Sequence, residues 1–161
     1  MDQRMQVATV APEGYRRVYA LEKYVSGAVE PRLYLLLKLR ASVVNGCAFC
    51  VDMHGTHLLE AGEDVRRVLA VSAWRESPFF TQRERVAFAL TDEVTRIGDH
   101  GVSDEVWDAS AAEFGDEGLA NLLLAIATIN TWNRLAIASH APPPPLEAPA
   151  AAPAASVAAN R

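Results

Sequence analysis

The sequence predicts an all-α protein with a single domain of six or seven helices. Apolar residues recur at three- and four-residue spacing from Pro12 to His140, which is the period of one helix face. No stretch alternates β-branched and polar residues as a half-buried strand does. Helix start and stop signals fall between the apolar runs: Pro12, Pro31, Asn45-Gly46, Gly62, Thr81, Gly98, Ser103 and Gly115.

Taken in order, residues 1–11 read as a flexible N-terminal arm, and Pro12 opens the first helix. Val18, Leu21 and Val25 mark its apolar face until Ser26-Gly27 weakens the pattern. Pro31 opens a second helix, apolar around most of its girdle through Leu33, Leu35, Leu36, Leu37, Leu39, Ala41 and Val44. Such a helix belongs in the interior or in a subunit contact. Asn45-Gly46 ends it, and a third helix runs to Gly62. Glu63-Asp64 supplies acid for the start of a short helix through Val65, Val68 and Leu69. Trp74 to Phe80 is a connector, with Trp74, Phe79 and Phe80 as core or interface anchors. Thr81-x-x-Glu84 matches a capping box ahead of Val86, Leu90, Val94 and Ile97. Ser103 caps the next helix, which uses Trp107, Ala111 and Phe114 and stops at Gly115. The last spans about Asp116 to His140, with Leu119, Leu122, Leu123, Ile126, Ile129 and Ile137 inward. Residues 12–140 therefore form the domain, and residues 141–161 are a Pro/Ala-rich low-complexity tail with nothing to bury.

The chemistry concentrates between Arg40 and Gly62. Both cysteines of the protein lie there, as Cys47-x-x-Cys50, with His54 and His57 following. On a helix of about four turns these four residues share one face. The sulfurs are then close enough to pair, and His54 lies one turn beyond Cys50. Asn45-Gly46 places Cys47 in the first helical turn, where unpaired N–H groups and the helix dipole favour a thiolate. Two other readings compete with a redox dithiol: cysteines packed as small hydrophobes, and a structural zinc site, which usually needs a second ligand pair that is absent here. No metal or cofactor is expected.

Composition bounds the partners. Half of the 161 residues are hydrophobic and the net charge is −5, without a Lys/Arg run, which argues against nucleic acid. The N-terminus shows no apolar signal region, and the charge-free stretch from Gly118 to Asn133 is too short and too rich in Asn for a membrane span. Two cysteines in one C-x-x-C fit a reducing cytoplasmic setting, where disulfides are transient and catalytic.

Leu39-Arg40-Ala41-Ser42, Asn45-Gly46-Cys47-Ala48-Phe49-Cys50 and Asp52-Met53-His54 closely resemble the alkylhydroperoxidase D (AhpD)-like branch of the carboxymuconolactone decarboxylase family. The resemblance continues through Ala73 to Phe80 and again from Ala125 to Arg134. It implies an AhpD-like helical fold, a homotrimer or homohexamer, and peroxide attack by Cys50 with Cys47 as the resolving thiol. Left to itself, the helix-dipole argument favours Cys47 as the more acidic sulfur. His54, at i+4 from Cys50, can serve that sulfur as base or proton relay. The family motif stops at His54, leaving His57 without an implied role. Two positions depart from the family: its proton-accepting glutamate, twelve residues before the first cysteine, is Leu35 here, and the histidine that some members carry before the second cysteine is Phe49. Another acid, such as Glu30 or Glu60, serves only if the fold brings it near.

The expected function is a dithiol hydroperoxide reductase. A thiolate attacks an organic hydroperoxide, the sulfenic acid condenses to a Cys47–Cys50 disulfide, and an external dithiol or disulfide-reducing protein restores it. The alternative is a non-catalytic redox sensor or thiol–disulfide exchange module on the same fold. A lactone decarboxylase, which is not expected to carry the dithiol, comes third.

Overall fold

A computed structural model describes residues 2–146, so most of the Pro/Ala-rich tail lies outside the described residues. The described chain forms α1 (Val7–Val10), α2 (Pro12–Ala28), α3 (Pro31–Asn45), α4 (Ala48–Glu60), α5 (Val65–Ala70), α6 (Gln82–Thr95) and α7 (Asp104–Ser139), with a 3-10 turn at Val71–Ala73. No strand occurs among the described residues. The predicted all-α class holds.

The boundaries follow from local chemistry. Pro12 and Pro31 stand at the first helical positions of α2 and α3, where a missing N–H leaves no bond unmade. Glu30 caps α3 by accepting from the Arg32 and Leu33 N–H groups at 3.0 and 2.8 Å. Thr81 and Glu84 form the reciprocal capping box of α6, and Ser103 caps α7 through the Val106 N–H. Helix α7 is broken at Gly115, whose φ of 66° and ψ of 176° no side chain-bearing residue adopts easily. The two helices predicted on either side of it are therefore joined across a kink.

Helix α3 is the centre. Leu33, Tyr34 and Leu37 join Val25, Leu90, Leu122 and Ile126 in one cluster with α2, α6 and α7. Leu36 and Leu39 join Leu58, Val71, Trp74, Phe80 and Phe88 in a second, toward α4. Phe80 and Phe88 meet edge to face at 5.0 Å. At about 1.5–3 kcal/mol per fully buried large side chain, these clusters supply the main drive to fold.

Four details differ from the sequence reading. The N-terminal arm contains the turn α1, and the Arg4 N–H donates to the Ser139 carbonyl at 2.9 Å, tying the arm to the end of α7. The dithiol segment thus follows the third helix rather than the second. Most of the leucine girdle of α3 and the anchors Trp74 and Phe80 are buried within one chain, while Leu35, Val44 and Phe79 are half-buried. Ile97 and Ile137 point outward, because α6 ends at Thr95 and the last turns of α7 lie at the surface.

Candidate active site

The turn between α3 and α4 is built by Gly46, in the left-handed region at φ 69° and ψ 32°. Asn45 anchors it to α7, its amide donating to Asn130 Oδ1 at 2.9 Å and Asn133 Oδ1 at 2.8 Å. Asn133 in turn donates to Ser42 Oγ at 3.1 Å. Cys47 follows as the N-cap of α4, with extended backbone angles, rather than within its first turn. The expectation of a helical Cys47 fails: its backbone is extended, and its N–H closes α3 on the Ser42 carbonyl. Cys50 lies inside α4.

Both sulfurs are buried, each residue 1 % exposed, and both are free thiols. They lie close enough to each other and to the Asn133 side chain to shift one another's proton affinity. Bonding from Cys50 outweighs burial and lowers Cys47 from 9.0 to about 7, while Cys50, donating to that sulfur and buried, is pushed up. The first proton of the pair therefore leaves close to neutral pH, and the charge it leaves rests on Cys47.

A cavity of about 600 Å3 opens beside the pair. Cys50 and His54 line it; Cys47 does not. Leu35, Phe49, Met53, Tyr15 and Trp132 make the wall largely apolar, and Gln3, Met5 and Val7 of the N-terminal arm complete it. His54 is 1 % exposed, and neither ring nitrogen has a hydrogen-bond partner among the described residues. Burial, then the Lys38 charge, then His57 hold it at about 3, below its ordinary 6.5, so the ring is neutral at physiological pH. His57 is exposed and also lines the cavity, its ring 6.2 Å from that of His54. Asp52 and Glu60 are exposed, and Glu30 is taken up as a helix cap; none of the three lines this cavity.

The polar group that sequence reasoning missed is Glu22. Its side chain is 18 % exposed and lines the cavity. Tyr34 Oη donates to its Oε1 at 2.6 Å, Trp132 Nε1 to its Oε2 at 3.1 Å, and Lys38 forms an ion pair with it. Glu22 occupies the inward place on α2 that the sequence reading gave to Leu21, which is exposed instead. The readable signal was Lys38 itself, a lone lysine set among Leu36, Leu37 and Leu39, which needs a buried counter-charge.

Residues 11–93 match the carboxymuconolactone decarboxylase family. The chain belongs to that family. Within it, the uncharacterized protein YdfG of Bacillus subtilis is 35 % identical over 139 residues, covering 86 % of this chain and 95 % of its own. Among solved structures, the Agrobacterium tumefaciens protein ATU0492 is 40 % identical with a TM-score of 0.87, covering 90 % of this chain and all of its own. Its function is unknown, and an antioxidant-defence role, that of AhpD, has been suggested for it. An AhpD-core protein of Ralstonia eutropha, 19 % identical, superposes with a TM-score of 0.75 over 86 % of this chain and 74 % of its own. This family member has an AhpD-like helical fold.

No described helix of the family member is long and apolar enough to cross a membrane. No cluster of three metal-binding side chains occurs among the described residues.

Proposed function

We propose that the protein is a dithiol-dependent hydroperoxide reductase, with Cys50 as the attacking sulfur, Cys47 as the resolving sulfur and His54 as the proton relay beside Cys50. The observation that carries this reading is the asymmetry of the pair: Cys50 faces the cavity with His54, and Cys47 lies behind it. The Cys50 thiolate attacks the terminal oxygen of a hydroperoxide. An S–O bond forms and the O–O bond breaks, leaving a sulfenic acid and an alcohol. Cys47 then attacks the Cys50 sulfur, the S–O bond breaks, water leaves, and a disulfide forms. Two electrons from an external dithiol restore both thiols.

The charge of the pair rests first on Cys47, so attack by Cys50 requires the Cys50 proton to pass to a neighbour beforehand. The Cys47 thiolate beside it accepts that proton first, and His54 on the cavity side relays it onward. The apolar wall favours an organic hydroperoxide over a small polar one. Burial of both sulfurs speaks against exchange with a folded protein disulfide, because no bulky partner reaches them. The electron donor is then a slender dithiol that enters the cavity.

Turnover of tert-butyl hydroperoxide with dihydrolipoamide tests the proposal. Cys50→Ser should abolish consumption. Cys47→Ser should stop turnover after one event and leave a sulfenic acid on Cys50 that dimedone labels. A parent protein that oxidises once and is not restored by any small dithiol is a sensor, and the enzymatic reading fails. The homotrimer or homohexamer implied by the resemblance is likewise proposed, and light scattering at the single-chain mass of 17.5 kDa would overturn it.

A further inference from the structure

Reduction of a hydroperoxide leaves an alkoxide, a strong base that must be protonated as the O–O bond breaks. Of the proton-bearing groups in the cavity wall, Tyr19 and His57 are exposed and Tyr15 packs edge-on against Trp132. Tyr34 and Trp132 both spend their single donor on Glu22, and Glu22 with its three donors is a carboxylate acceptor. His54 is neutral, and a neutral imidazole could donate only by becoming an anion. Lys38 differs. It is 6 % exposed, lines the cavity, and sits close enough for its charge to act on both Cys50 and His54. Its ammonium carries three N–H groups. One meets Glu22, another points to Tyr34 Oη at 3.4 Å, and the third has no partner among the described residues.

The geometry points to Lys38 as the proton donor to the departing peroxide oxygen, with Glu22 as the residue that positions it. This rests on the reductase reading of the same site. In the step, the Cys50 thiolate bonds to the terminal oxygen and the O–O electron pair leaves on the alkoxide. The alkoxide takes a proton from the Lys38 ammonium, and the proton lost from Cys50 returns to the resulting amine. Sulfur is oxidised by two electrons, the peroxide is reduced by two, and the thiol hydrogen ends in the alcohol. Leu35 therefore leaves no vacancy in the chemistry, because α2 and α3 bring a different acid–base pair to the same wall.

Two oxidants separate proton donation from every other effect of Lys38. Tert-butyl hydroperoxide leaves as a basic alkoxide, whereas peracetic acid leaves as acetate and needs no proton. Any change in folding or in thiolate fraction slows both alike and cancels in the ratio of their rate constants for Cys50 oxidation. Lys38→Met should lower that ratio by about 10²-fold or more, the range that a positioned acid supplies. The double variant Glu22→Gln with Lys38→Met removes both charges, leaves no buried ion unpaired, and should show the same fall. Lys38→Arg keeps the charge and the pairing but holds its proton too tightly to release it, so its ratio should also fall. Glu22→Gln alone should lower the ratio by a smaller factor. An unchanged ratio in Lys38→Met, or a parent ratio in Lys38→Arg, overturns proton donation while leaving the reductase reading intact. A parent protein inert to both oxidants overturns that reading and this inference together.

Discussion

Helix α3 buries two cations two residues apart, Lys38 and Arg40, and it treats them differently. Arg40 points toward α6 and the 3-10 turn, where every arm of its guanidinium is matched. Its Nε and Nη2 meet the two oxygens of Asp92 at 2.5 and 3.0 Å, and Nη1 donates to the Val71 and Ser72 carbonyls at 3.1 and 3.0 Å. Asp92 also accepts from Arg75 and from Trp74 Nε1. Lys38 points the other way, onto the cavity, with fewer partners than donors. A buried charge whose bonds are all made holds helices together; one with a bond to spare beside a reactive sulfur is available for chemistry. The two cations are about equally buried, so satisfaction rather than burial of the cation tells them apart.

The sharpest way to break the comparison is Asp92→Ala. It strands Arg40 in the core and should cost about 3–5 kcal/mol in urea unfolding. Cys50 oxidation in the folded fraction should keep the parent rate. If that rate collapses in protein that is still folded, the Arg40 cluster is not merely structural.

Acid titration should separate the two regions by pH window. His54 is neutral when folded and protonated when unfolded between its ordinary 6.5 and about 3. The unfolded state binds more protons there, so stability falls as pH drops, by up to about 1.4 kcal/mol per pH unit. His54→Leu should flatten that part of the curve in urea melts from pH 7 to 4. Burial alone would raise the Asp92 carboxyl, but the Arg40 and Arg75 hydrogen bonds overcome it and hold it low. Its contribution is present above the ordinary carboxylate range and is lost only as pH falls below it, so it survives in His54→Leu. A curve that His54→Leu leaves unchanged would refute the assigned window.

Smaller effects should follow at the sulfur and at Glu22. Thiol alkylation by iodoacetamide should rise with a midpoint of about 7, set by Cys47. Asn133→Ala removes a hydrogen bond that lowers this value and should move the midpoint up; no movement would remove Asn133 from the site. Tyr34→Phe deletes one of the three donors to Glu22 and should cost only about 1 kcal/mol, because Lys38 and Trp132 remain.

Much of the fold was legible because its punctuation is local. Pro12, Pro31, Gly46, the Thr81–Glu84 box, Ser103 and Gly115 each act within a few residues of their own position. The dithiol and His54 were legible for the same reason, lying on consecutive turns. What the sequence hid depends on distant partners. Glu22 turns inward because Tyr34, Lys38 and Trp132 all donate to it, and Trp132 is on another helix far along the chain. Likewise, the inward face of α3 cannot be told from an intersubunit face by composition, since both are apolar. The helical turn at Val7–Val10 has no buried residue and no side-chain cap, so nothing in its pattern announces it.

The wall of the cavity joins the two ends of the described chain: Gln3 and Met5 from one, Trp132, Leu135 and Ser139 from the other, with Arg4 hydrogen-bonded to Ser139. Cys47 and Cys50 lie in the first third of the sequence, so during synthesis both thiols leave the ribosome long before the last turns of α7 exist. A chain that lacks α7 should leave the sulfurs less covered, because residues of that helix complete the cavity wall. Reactivity toward a large thiol reagent therefore reports the docking of α7, high before that helix packs and lost once it does.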